Sequence, residues 1–183
     1  MATMAVYSTL LLLGFIIQTI TSMYFAPISL AFLAALAPMV NALGSAVVHN
    51  KCDFPVYLWS VGSSISDAKT LVAGEGGYSE LYRSDDTTGG IALKMTLEED
   101  GLTTSKPQTI FSYALNDDES KVFYDLSDVF GDPFTGHTLS ITPSEGSCEG
   151  ICWNGGISAS YVSKTDACTQ DADVTLTLCA DSC

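Results

Sequence analysis

Residues 45–183 predict an all-β sandwich, and three observations carry that reading. Short runs of β-branched and aromatic residues recur along this part of the chain. Turns bearing glycine or proline separate them at intervals near the ~8–12 residues expected of sandwiches. No stretch holds an apolar period of 3.6 residues. About 140 residues suffice for one domain with a real core, and six cysteines, at 52, 148, 152, 168, 179 and 183, can staple it.

The elements follow in order. Residues 46–50 and 55–61 form the first two strands, and in the second Tyr57 and Trp59 alternate with Val56 and Leu58, so the two pairs face opposite sides. One side is core; the other, if open, offers the flat aromatic surface on which sugars stack. Gly62-Ser-Ser-Ile-Ser-Asp67 is small and polar, as loops are, and residues 70–73 lead into the turn Gly74-Glu-Gly-Gly77. Residues 78–83, 91–96, 108–115, 121–126, 137–142 and 173–179 alternate or cluster as half-buried strands do. In the last of these Val174, Leu176 and Leu178 share one face, and Thr175, Thr177 and Cys179 the other.

The first 50 residues differ in kind. No Lys, Arg, Asp or Glu precedes Lys51, although the chain carries 21 acidic and 7 basic residues and a net charge of −14. Two apolar runs, 4–20 and 23–40, end in Pro38-Met-Val-Asn-Ala-Leu-Gly-Ser-Ala46, small residues behind a helix breaker, as in a signal-peptide cleavage region. Residues 1–44 therefore read as a signal peptide, with Met23 as an alternative start and a cut between 42 and 46. Val40-Asn-Ala42, Ala42-Leu-Gly44 and Gly44-Ser-Ala46 each satisfy the small-x-small rule. An uncleaved anchor is the rival reading, since either run nearly reaches the ~18 apolar residues of a span. Against it, Pro27 and Pro38 interrupt the second run, and no Lys or Arg flanks either run. The remainder, 45–183, is one domain with no membrane span after processing, and an even cysteine count behind a leader reads as disulfides.

Charge and residue types exclude several functions. An acidic surface repels nucleic acid and anionic lipid. With only His49 and His137, a zinc site of finger spacing and a Ser-His-Asp triad lack their ligands and base, and Gly-x-Ser-x-Gly is absent. No cofactor is implied, and no Asn-x-Ser/Thr sequon or GPI-type tail occurs. A glycosidase needs two carboxylates across the scissile bond, ~5 to ~9.5 Å apart. Asp125, Asp128 and Asp132 could supply one or two, with Glu80 or Glu98 opposite; the same aspartates read equally as turn caps at a strand exit. Trp153, between Cys152 and Asn154-Gly-Gly156, stands as an exposed contact in a disulfide-held loop.

Several runs, in order, are similar to a family of fungal secreted proteins, the yeast-phase-specific or antigenic thaumatin-like proteins. They include Val47-Val-His-Asn-Lys-Cys52, Phe54-Pro-Val-Tyr-Leu-Trp-Ser-Val-Gly62, Gly77-Tyr-Ser-Glu-Leu-Tyr-Arg83 and Gly89-Gly-Ile-Ala-Leu-Lys94. Pro107-Gln-Thr-Ile-Phe111, Tyr124-Asp-Leu-Ser-Asp-Val-Phe-Gly-Asp-Pro-Phe134 and Asp173-Val-Thr-Leu-Thr-Leu-Cys179 continue the match. The resemblance implies a thaumatin-like β-sandwich secreted to the medium or cell wall. It implies a glycan cleft whose wall holds Asp125 and Asp128, while Ser112 and Tyr113 stand where plant members place a further carboxylate and no cleft arginine can be assigned. It also implies that Cys52 pairs with Cys179, first strand to last, and Cys148 with Cys168. Cys152 and Cys183 then remain for each other, as additions to the family pattern; a local Cys148–Cys152 bridge, with Cys168 to Cys183, is the alternative. The function so implied is non-catalytic binding of a partner, cell-wall β-glucan or a host surface molecule, with Asp125, Asp128, Asp132 and Trp153 as contacts. A weak β-1,3-glucanase is the alternative.

Overall fold

The computed structural model describes residues 42–156 and 164–183. The apolar segment read as a leader lies outside them up to residue 41. Among the described residues the strands are β1 Ser45–Asn50, β2 Val56–Val61, β3 Lys69–Leu71, β4 Gly76–Leu81, β5 Ile91–Thr96 and β6 Gln108–Asn116. β7 Lys121–Phe130, β8 Leu139–Pro143, β9 Ile151–Trp153, β10 Asp166–Thr169 and β11 Val174–Leu178 follow. They form a five-stranded sheet in the order β4-β1-β11-β8-β9 and a six-stranded sheet in the order β10-β7-β6-β5-β2-β3.

Alternation decides which face of each strand is core. Val56 and Leu58 of β2, Leu93 and Met95 of β5, Phe111 of β6 and Leu126 of β7 are fully buried, as are Val174, Leu176 and Leu178 of β11. Sequestering this apolar face from water on both sheets is the main stabilising term. The first and last strands run parallel at the centre of the smaller sheet, Ala46 beside Val174 through Asn50 beside Leu178. Buried Asn50 holds the exit of β1: its amide donates to the carbonyls of Phe54, Leu71 and Val72, and its oxygen accepts from the Cys52 N–H.

The structure joins Cys52 to Cys179, Cys148 to Cys168 and Cys152 to Cys183. The first bridge spans 127 residues of sequence, a loop for which chain entropy predicts about 5 kcal/mol of stabilisation.

One expectation is corrected. Trp153 does not stand in an exposed loop; it is 5% exposed, in the core. It belongs to β9, where period two turns Cys152 outward and Ile151 and Trp153 inward, and it pairs with Leu139 of β8. In β2, Tyr57 and Trp59 point away from the core formed by Val56 and Leu58, yet Trp59 is only 6% exposed. It offers no flat open surface.

Between the sheets, one polar cluster interrupts the apolar core. Glu80 of β4 accepts from the hydroxyls of Tyr78 (2.7 Å), Tyr113 (2.6 Å) and Ser60 (3.1 Å), and Arg83 donates to the Ser60 hydroxyl (2.9 Å). Burial pushes both phenols up, with the Glu80 hydrogen bond adding to the effect; Tyr78 reaches about 12.

Candidate functional site: a groove on the outer sheet face

The outer face of the six-stranded sheet carries a groove of about 460 Å³. Its floor follows from pairing. Val61 lies opposite Ala92, Ala92 opposite Ser112, and Ser112 opposite Asp125, so one row of outward side chains crosses β2, β5, β6 and β7. The next row sets Ala114 against Phe123. Small side chains at Ala92, Ser112 and Ala114 keep the floor low; Phe123, Lys94 and the loop residues Thr88, Gly89 and Gly90 also line the groove.

The loop at the rim is held in shape by a carboxylate that does not itself line the groove. Asp85 accepts from the N–H groups of Ser63 (2.7 Å), Thr87 (3.0 Å) and Thr88 (3.1 Å), which hold its carboxyl well below the usual range. That ties residues 85–88 to the β2–β3 connection. Gly90 has no room for a side chain, because a Cβ there would lie 2.6 Å from the Tyr113 carbonyl oxygen.

Asp125 is the carboxylate of the groove. It is half-buried, and burial raises its pKa, while the Ser112 hydroxyl, donating at 3.2 Å, works the other way. Lys94 sits at the other end with its ammonium 5.3 Å from the centroid of the Phe130 ring, a cation–π distance.

The remaining acidic candidates do not join it. Asp128 does not line the groove; its carbonyl accepts from Gly131 N–H at 2.8 Å. Asp132 accepts through Oδ2 from the Thr135 hydroxyl (2.7 Å) and through its carbonyl from the Thr135 N–H (3.1 Å), so it organises a turn. Glu80 cannot face Asp125 across a substrate, since it bonds Tyr113, on the core side of β6, whereas Asp125 bonds the outward Ser112. Glu98 pairs with Lys106 at 3.0 Å. Among the described residues no second carboxylate lines the groove, and no group of three or more His, Cys, Asp and Glu could hold a metal. The arrangement can accept hydrogen bonds from hydroxyls and pack an apolar sugar face; it does not place an acid and a base across a bond.

Sequence reasoning reached Asp125 and noted Ser112. It missed Lys94, Phe123 and the Asp85 clamp, for which the only local signal was Asp85 followed by Asp-Thr-Thr-Gly-Gly90, a turn pattern.

Residues 33–180 match the family described as Blastomyces yeast-phase-specific protein. The chain belongs to that family. It is 38% identical to the antigenic thaumatin-like protein of Arthroderma benhamiae over 167 residues, 85% of this chain and 82% of the relative. It is 29% identical over 164 residues to the secreted thaumatin-like protein calA of Emericella nidulans, covering 84% and 92%. Among solved structures it resembles the protein elicitor MoHrip2 from Magnaporthe oryzae, with 26% identity and a TM-score of 0.63 over 75% of this chain and 99% of that one. This member of the yeast-phase-specific family is thus a thaumatin-like, extracellular protein of fungal type. Among the described residues no helix is long and apolar enough to cross a membrane.

Proposed function

We propose that this protein is a non-catalytic extracellular binding protein whose outer-face groove takes a neutral glycan strand, cell-wall β-glucan in the first instance. The carrying observation is the Asp125–Ser112 pair on a floor of small side chains, beside the aromatic Phe123. A carboxylate and a hydroxyl orient sugar hydroxyls, an aromatic edge packs the ring, and a net charge of −14 favours a neutral polymer over an anionic one. The absence of a second carboxylate from the described groove favours binding over the alternative of β-1,3-glucan hydrolysis. Recognition of a partner outside the cell is in keeping with the likeness to MoHrip2, a protein elicitor. The reading includes removal of the apolar leader, by a cut between residues 42 and 46, before the domain acts.

The test is co-sedimentation with insoluble β-1,3-glucan, with reducing-end release from laminarin measured in parallel. Asp125→Ala should weaken binding about 10-fold or more, the worth of one hydrogen-bonding charged group, and the wild type should release no sugar. Unchanged binding in an Asp125→Ala/Ser112→Ala double variant would place the ligand elsewhere. Hydrolysis lost in Asp125→Asn would favour the enzyme.

A further inference from the structure

The leader boundary can be read from the packing of the first residues of the domain. Three small-x-small sites allow cuts after Ala42, after Gly44 or after Ala46. The fold treats the residues at these sites very differently. Ala42 and Leu43 are exposed, Leu43 at 37%. Gly44 is buried and bonded on both sides: its N–H donates to the Gln170 carbonyl at 2.9 Å, and its carbonyl accepts from the Tyr82 N–H at 3.0 Å. Its lack of a side chain is required as well, because a Cβ would lie 2.3 Å from the Ala172 carbonyl oxygen. Ala46 is fully buried and pairs with Val174 on one side and Glu80 on the other.

From this we propose that the precursor is cut between Ala42 and Leu43, and that Gly44 belongs to the mature domain as the residue that docks its amino terminus between the Tyr82 and Gln170 backbones. A cut after Ala46 deletes Gly44, the start of β1 and a buried side chain together. A cut after Gly44 leaves the Tyr82 N–H, on a residue 2% exposed, without its acceptor. Such a product does gain a Ser45 ammonium beside Asp173 Oδ1, at 2.8 Å. That contact is exposed, and an exposed ion pair returns less than a buried orphaned N–H costs. The cut after Ala42 sacrifices nothing: the new ammonium is in water, and every bond of Gly44 survives.

The inference rests on the leader being removed, and the experiment separates the two. The precursor is secreted from a fungal host, and the product is identified by intact mass and amino-terminal sequencing. A start at Leu43 is expected. A start at Ser45 or Val47 overturns the Gly44 docking and leaves the leader reading standing; an uncleaved chain, or a cut upstream of residue 40, overturns the leader itself. A second measurement uses Gly44→Val in the same precursor. With residue 44 retained, the secreted product gains the valine mass and melts lower by about 5 °C or more, or fails to accumulate. If residue 44 is discarded, the variant product is identical to wild type in mass and melting temperature, which would overturn the proposal.

Discussion

Glu80 gathers three hydroxyl donors at one carboxylate, so its removal has a cost that can be worked bond by bond. In Glu80→Ala, the Tyr113 hydroxyl, on a residue 2% exposed, loses its acceptor where water cannot easily replace it. Hydrogen bonds to charged groups contribute about 1.5–3 kcal/mol; about 2 kcal/mol is assigned to this one. Tyr78 is half-buried and can partly rehydrate, so about 1 kcal/mol is assigned there. Ser60 keeps its contact with Arg83 and loses about 1 kcal/mol. The sum, about 4 kcal/mol, is a large share of the 5–15 kcal/mol that holds an ordinary domain. Urea unfolding followed by the fluorescence of Trp59 and Trp153, both buried, measures it. Tyr113→Phe alone removes one donor and should cost about 1–2 kcal/mol. In the double variant the two losses should fall short of additivity by more than about 1 kcal/mol, because both remove the same bond. A Glu80→Ala protein within about 1 kcal/mol of wild type would show that the cluster is merely tolerated and that the reasoning is wrong.

Three further outcomes are expected. The raised phenols of Tyr78 and Tyr124, each at about 12, release their protons earlier in the unfolded chain, near 10; stability should therefore fall as pH rises from 10 to 12, and tyrosinate absorbance should develop together with unfolding rather than before it. Asp125 has a raised pKa, so ionising it costs the fold stability from about pH 4 upward; Asp125→Asn should be neutral or stabilising in urea at pH 7, and a loss above about 1 kcal/mol would contradict the burial account. Cys152 and Cys183 are exposed whereas Cys52 and Cys168 are buried; graded reduction with alkylation mapping should open Cys152–Cys183 first, and early labelling of Cys52 would refute that order.

The groove shows where legibility ends. Asp125 could be singled out because its neighbours Tyr124 to Phe134 form a recognisable run. Lys94 and Phe123 lie in separate stretches of chain in which nothing local marks a site, and they line one groove only because β5, β6 and β7 are adjacent in the larger sheet. The same limit explains Trp153. Between Cys152 and Asn154-Gly-Gly156 it has the surroundings of a loop, and a three-residue strand is too short to display alternation.

What the sequence by itself determined is therefore local in origin. Period-two patterning carried β1, β2, β4 to β8 and β11, and turn residues separated them. The tertiary structure alone decided the strand order, the burial of Trp153, the opposite placement of Glu80 and Asp125 about β6, and the docking of Gly44. Each of these depends on which distant strand lies alongside, and a side chain's two-residue alternation says that it has a buried or an open face without saying what will cover it.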